Sequence, residues 1–171
     1  MSNFKEDLVK VKAFVFDIDG VLSAQVLSLN KDGDPMRTAN IKDGYALHIA
    51  VKLGYPIAII TGGDCGNIIK RYNKLGITDI YMGSFNKLDR FNEWIAKQNI
   101  TPDEVMYMGD DLPDYPVMEV VGVPVAPADA AEEIKSLCKY ISDKKGGEGC
   151  VRDVIEQVLR VQGNWSVDHK W

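Results

Sequence analysis

Histidine and cysteine are scarce in this chain, and what they fail to form narrows its chemistry first. Only two histidines and three cysteines are spread over 171 residues. Cys65, Cys138 and Cys150 have no metal-ligand spacing, and their odd number argues against a disulfide framework. Reduced thiols in a cytoplasm fit them best. The sequence places neither His48 nor His169 beside Cys65, so a cysteine–histidine nucleophile has no support and Cys65 reads as structural. No apolar stretch approaches the ~20 residues that span a bilayer. The first residues, Met1 to Asp7, lack the apolar core of a secretory signal. A basic stripe with interleaved aromatics is missing too, and the net charge is −5. No nucleic acid and no membrane is therefore expected as a partner. Repeats and low-complexity segments are absent, and the length suits one domain over residues 1–171.

What the chain does have is an alternation of short apolar runs and helical patterns. Ala13–Phe16, Ile57–Ile60 and Val105–Met108 read as buried strands. Further short strands are expected at 79–82, 124–126 and 140–141. A helix is expected from Asp43-Gly44 to Gly54, and another carrying Ile68, Ile69, Tyr72 and Leu75. Lys87 to Gln98 puts Leu88, Phe91, Trp94 and Ile95 on one face. Shorter helices are expected over 118–121, 130–137 and 151–161. This alternation predicts an α/β fold, a single doubly wound, mostly parallel, Rossmann-like sheet. Residues 26–41 read as a β-hairpin inserted after the first strand, turning at Lys31-Asp32-Gly33-Asp34. Residues 163–171 form a polar tail with Trp165 and Trp171, and a free tail seldom carries two tryptophans.

The chemistry concentrates where strands end. Asp17-Ile18-Asp19-Gly20-Val21 puts two carboxylates at the end of the first strand, and Gly20 lets the backbone turn so that they converge. Paired carboxylates repel unless a cation or a proton intervenes, and oxygen-seeking Mg²⁺ is the economical answer. Gly109-Asp110-Asp111 ends a second strand in the same way. Thr61, with Gly62, follows a third, and Lys87 opens a helix. In a parallel sheet these ends share one rim, where ligands bind. Asp17 there is a candidate nucleophile for phosphorus, and Asp19 a candidate acid/base. Lys87, the Thr61 hydroxyl and backbone N–H groups suit a phosphate cradle. Taken singly, each has a plainer reading. Acidic residues after strands often cap turns, a threonine can start a helix, and lysines are usually solvated. The constellation is what points to Mg²⁺-assisted phosphoryl chemistry.

Asp17-Ile18-Asp19-Gly20-Val21, Ile60-Thr61-Gly62, Asn86-Lys87-Leu88 and Gly109-Asp110-Asp111 resemble, in order, the four motifs of the haloacid dehalogenase superfamily. The second aspartate of the first motif resembles its phosphatase branch. The resemblance implies Asp17 as nucleophile, Asp19 as acid/base, and Thr61, Gly62 and Lys87 as phosphate-binding residues. It implies Mg²⁺ held by Asp17, the backbone carbonyl of Asp19, and Asp110, with Asp111 orienting the site or supporting Lys87.

The hairpin leaves no room for a cap domain. Asn40-Ile41-Lys42-Asp43-Gly44, Leu75 to Tyr81, Gly109 to Met118 and Gly146 to Asp153 resemble the capless 3-deoxy-D-manno-octulosonate 8-phosphate phosphatases over about residues 8–163. That family implies a cytoplasmic homotetramer of lipopolysaccharide sugar synthesis. A neighbouring subunit there closes each site, with C-terminal segments reaching towards it. Lys42, Asp43 and Arg152 are the candidate substrate-binding residues. Gly63, Glu148 and Lys42 stand where arginine is frequent in the family, which leaves the sugar acid open. The 9-phosphate of a nine-carbon ulosonate, deaminated neuraminate or N-acylneuraminate, is the alternative substrate. A phosphomutase is disfavoured because no cap could hold a bisphosphate intermediate. A non-catalytic oligomerisation module is disfavoured because every proposed catalytic residue is present.

Overall fold

In the computed structural model, which describes residues 3–168, six short strands form one sheet. They are β1 (Ala13–Phe16), β2 (Ile57–Ile60), β3 (Asp79–Tyr81), β4 (Val105–Met108), β5 (Val123–Ala126) and β6 (Tyr140–Ile141). The order across the sheet is β3-β2-β1-β4-β5-β6, and every pairing is parallel. Strands buried on both faces need apolar residues at nearly every position, which is why these runs do not alternate with polar ones.

Among the described residues seven α-helices connect and cover the strands: α1 (Phe4–Leu8), α2 (Ile41–Lys52), α3 (Gly66–Lys74), α4 (Lys87–Gln98), α5 (Tyr115–Met118), α6 (Glu132–Leu137) and α7 (Cys150–Val161). The two-residue period of the strands sorts the core into two layers. Phe14, Phe16, Ile57, Ile59, Met106 and Met108 face α1, α2, α3 and α7. Ala13, Val15, Ala58, Ile60, Val105 and Tyr107 face α4, α5 and α6, around Phe91 and Trp94. Among the described residues no helix is long and apolar enough to cross a membrane.

The chain winds outward in both directions from β1 and β4, so the sheet reverses its order between these two neighbours. Ligands bind open α/β sheets at the carboxyl ends of the strands beside such a reversal. Asp17 follows β1 and Asp110 follows β4.

The structure departs from the sequence reading in four places. Of the expected hairpin 26–41, residues 26–40 are an irregular excursion with one antiparallel bridge, Leu29 to Pro35, and not a two-stranded hairpin, and Ile41 already belongs to α2. The turn itself forms: Asn30 Oδ1 accepts N–H groups from Asp32 and Asp34, and Gly33 has φ 86°. The bridge rests on two backbone bonds, Asn30 N–H to the Asp34 carbonyl and Met36 N–H to the Ser28 carbonyl, and no third strand supports the ribbon, so no longer ladder develops. Helix α2 starts two residues early because Asn40 caps it, accepting from the N–H groups of Lys42 and Asp43. Helix α5 lies at 115–118 and not 118–121, started by a tight turn over Leu112–Asp114. Helix α1 was not anticipated; Asn3 caps it and Phe4 stacks on Tyr140.

The described part of the tail, residues 163–168, folds back on its own chain at Trp165. The Trp165 ring meets Tyr45 edge-on, and the Arg152 guanidinium lies 4.6 Å from its centre. Trp171 and His169 lie outside the described residues.

Candidate active site

Asp17, Asp19, Thr61, Gly62, Lys87, Asp110 and Asp111 line one open cavity of about 440 Å³ on this rim. Asp17 continues the β1 register, its N–H bonded to the Met108 carbonyl. The chain then folds sharply: Ser23 N–H returns to the Ile18 carbonyl and Gly20 N–H to the Ser23 carbonyl. Gly20 has φ 82°, and a Cβ there would stand 2.0 Å from Asp110 Oδ2. The turn therefore requires glycine both for its backbone and for the space above Asp110.

Gly146 and Gly147 press on this turn from below. A Cβ on Gly146 would meet the Gly20 carbonyl oxygen at 2.0 Å. The Gly147 N–H donates to the Val21 carbonyl at 2.8 Å.

Lys87 Nζ lies 2.8 Å from Asp17 Oδ2 and 2.7 Å from Asp114 Oδ1. Burial works against the ammonium charge, but Asp17 and Asp114 outweigh it and raise the Lys87 pKa. Asp17 is pushed up to about 7, by burial first and Asp114 second, against the pull of Lys87. Asp110 is pushed up to about 8, by burial and then by the charges of Asp17 and Asp114. Two carboxylates that resist ionising beside each other describe a site built around a cation.

The donor set fits Mg²⁺. Carboxylate oxygens of Asp17, Asp110 and Asp114 lie within 4.8 Å of one another. Asp114 is already engaged through both oxygens. Its Oδ1 accepts from Lys87 and the Tyr107 hydroxyl, and its Oδ2 from the Asp110 N–H. Asp17 and Asp110 remain as hard oxygen ligands.

Asp114 is thus the support that the sequence reading gave to Asp111. Asp111 is exposed and accepts from the Leu112 N–H, starting the turn. That turn carries Asp114 back under Asp110. A turn signal was present in Leu112-Pro113, but three aspartates within five residues left the choice to the backbone.

Thr61 is buried at the end of β2, its hydroxyl accepting from the Gly63 N–H at 3.3 Å. Arg37, missed from the sequence, forks onto Asp19. Gln25 Nε2 reaches Asp110 Oδ2 at 3.3 Å. Arg37 lies on the excursion and Gln25 immediately before it, where the irregular backbone gives no period from which to place them.

The proposed substrate-binding residues are not in this cavity. Lys42 and Arg152 line a separate cleft of about 360 Å³, where α2 and α7 begin side by side. Asp43 is buried beneath it: Oδ1 accepts the Arg152 N–H at 2.8 Å, and Oδ2 has no hydrogen-bond partner. Burial raises its pKa to about 6, against the Arg152 N–H and charge.

A profile described as haloacid dehalogenase-like hydrolase matches residues 72–155. The 3-deoxy-D-manno-octulosonate 8-phosphate phosphatase of Escherichia coli K12 is 39% identical over 153 residues, 90% of this chain and 81% of that protein. The crystal structure of the Yersinia pestis phosphatase of the same name superposes with a TM-score of 0.91 at 34% identity, covering 95% of this chain and 88% of that one. The Moraxella catarrhalis phosphatase, solved with magnesium, phosphate and KDO, gives 0.90 at 31% identity, covering 96% and 94%. Fold and rim together define a haloacid dehalogenase-like hydrolase. Within that class the chain belongs to the 3-deoxy-D-manno-octulosonate 8-phosphate phosphatase family.

Proposed function

We propose that this protein is a Mg²⁺-dependent phosphatase that cleaves 3-deoxy-D-manno-octulosonate 8-phosphate to the free sugar acid and phosphate. The observation that carries the reading is the buried Asp17–Lys87 pair beside Asp110, at the sheet reversal. The Moraxella catarrhalis relative, solved with magnesium, phosphate and KDO, supports the choice of metal and sugar.

Asp17 attacks phosphorus; the new bond is to its carboxylate oxygen and the broken one is to the sugar oxygen. Asp19 gives that leaving oxygen a proton. Water then attacks the aspartyl-phosphate, and Asp19 takes the proton back as Asp17 is released. Lys87 and the Thr61 hydroxyl hold the phosphoryl oxygens, with Gly62 leaving the rim open to them. Asp17, Asp110 and the Asp19 carbonyl would hold Mg²⁺, which offsets charge between carboxylates and phosphoryl group.

The enzyme works as a single cytoplasmic domain assembled into a homotetramer. Three free thiols are in keeping with a reducing compartment. Val26, on the excursion, is 91% exposed, and Phe85, just before α4, is 94% exposed. Apolar side chains so bare beside an open site are suited to a neighbouring subunit. Light scattering gives the oligomeric state, and a monomer with full sugar-phosphate selectivity would refute this part.

Phosphate release across eight- and nine-carbon ulosonate phosphates, with and without Mg²⁺, tests the activity and the sugar. Preference for a 9-phosphate would move the substrate to the nine-carbon class. No release from any ester, aryl phosphates included, would leave a non-catalytic module.

A further inference from the structure

Arg37 lies outside every motif, yet its guanidinium meets Asp19 in a two-point fork. Nε donates to Oδ1 at 2.8 Å and Nη2 to Oδ2 at 3.0 Å. The Arg37 side chain is only 11% exposed, whereas that of Asp19 is 44% exposed. Nη1 donates to the Asp64 carbonyl at 3.2 Å. The backbone beside Arg37 is clasped: the Thr38 N–H donates to Ser23 Oγ and the Ala24 N–H to Thr38 Oγ1, both at 2.9 Å. The excursion thus returns to a fixed point and delivers a cation from there. Gly63 makes room for it. A Cβ on Gly63 would stand 2.7 Å from Arg37 Nη2 and 3.2 Å from Asp19 Oδ2.

We propose that Arg37 positions the Asp19 carboxyl for proton transfer, and that the missing side chain of Gly63 is the space that admits it. The proposal rests on Asp19 being the acid/base. A half-exposed carboxyl on a tight turn has several rotamers open to it, and proton transfer needs one. A planar fork fixes the plane of the carboxyl, which a point charge such as lysine does not. Each Asp19 oxygen keeps a second lone pair for the travelling proton. Arg37 acts through Asp19 and is a positioning residue.

The test compares Arg37→Met, Arg37→Lys and Gly63→Ala with the parent on 4-nitrophenyl phosphate and on an alkyl phosphate the parent turns over. The nitrophenolate departs without a proton; the alkoxide needs one. The value of kcat/KM reports the steps up to that departure. For Arg37→Met it falls about 10- to 100-fold on the alkyl ester and less than about 3-fold on the aryl ester. Gly63→Ala shows the same asymmetry, because the added methyl group displaces the flexible end of Arg37 and crowds Asp19 Oδ2, the two sides of the fork. Arg37→Lys recovers part of the loss. In an Asp19→Asn background Arg37→Met costs nothing further on the alkyl ester. Equal losses on both esters, or additive losses in the double variant, overturn the proposal. Being ratios to the parent, these outcomes are separate from which sugar acid the parent prefers.

Discussion

Lys87 Nζ sits 2.8 Å from Asp17 Oδ2, with both side chains almost closed to solvent. A lysine ammonium placed so deep is costly unless it is paired. Asp114 adds a second partner, so the ammonium stays charged and holds still. The strand-end nucleophile is thereby aimed by a cation from a different element, the first residue of α4.

Asp17→Asn removes the attacking oxygen and keeps the shape. Turnover of any phosphate ester should fall by about 1,000-fold or more. Circular dichroism should remain that of the parent. A folded Asp17→Asn protein with substantial, stable activity would falsify the nucleophile assignment.

Asp114 and Asp111 should behave oppositely. Asp114→Asn weakens the hold on Lys87 and on the Asp110 N–H, and turnover should fall about 10- to 100-fold. Asp111→Asn changes an exposed turn residue, and turnover should stay within about 2-fold. Steady-state kinetics on the two purified variants decides; the reverse ranking would return Asp111 to the supporting role.

Mg²⁺ binding should be visible without turnover. Saturating Mg²⁺ should raise the melting temperature, since a ligand of the native state alone stabilises by mass action. Asp110→Ala should remove most of that shift. The parent should lose activity in a chelator. A melting curve indifferent to Mg²⁺ in the parent would count against the carboxylate site.

Asp43 gives a stability test with a defined direction. Its folded pKa of about 6 lies above its ordinary value of 3.8. The folded state therefore holds this proton more tightly than the unfolded state. Stability from this group is full below about pH 4 and is lost as pH rises through 6. Asp43→Asn keeps an oxygen for the Arg152 N–H and removes the charge. It should be more stable than the parent by roughly 1–3 kcal/mol at pH 7.5, with little difference at pH 4. Urea denaturation at the two pH values measures this, and a less stable Asn variant at pH 7.5 would refute it.

The sequence made the sheet legible because its strands are short and wholly apolar, and it made the nucleophile legible because Asp17 ends one of them. Lys87 was readable for the same reason, at the first position of an amphipathic helix. Asp114 and Arg37 were not. Asp114 reaches Lys87 only because a turn at Pro113 reverses the chain. Arg37 sits on a segment without period, and its partner is 18 positions away. Lys42 and Arg152 read from the sequence as substrate-binding residues, but α2 and α7 start side by side and give them a cleft of their own, apart from the catalytic cavity. Such placements depend on how elements meet, which no local pattern encodes.

The glycines at 146 and 147 carry a consequence for how the protein comes into being. The turn holding Asp19 is braced by residues near the far end of the chain; Cys150 Sγ reaches the Val21 carbonyl across 129 positions. Synthesis runs from the amino terminus, so a nascent chain displays both catalytic aspartates long before it can hold them in place. Competence arrives late, when the last helix leaves the ribosome and docks. A chain stalled or clipped before Gly146 keeps all six strands and all four motifs, yet its acid/base loop has nothing to rest on.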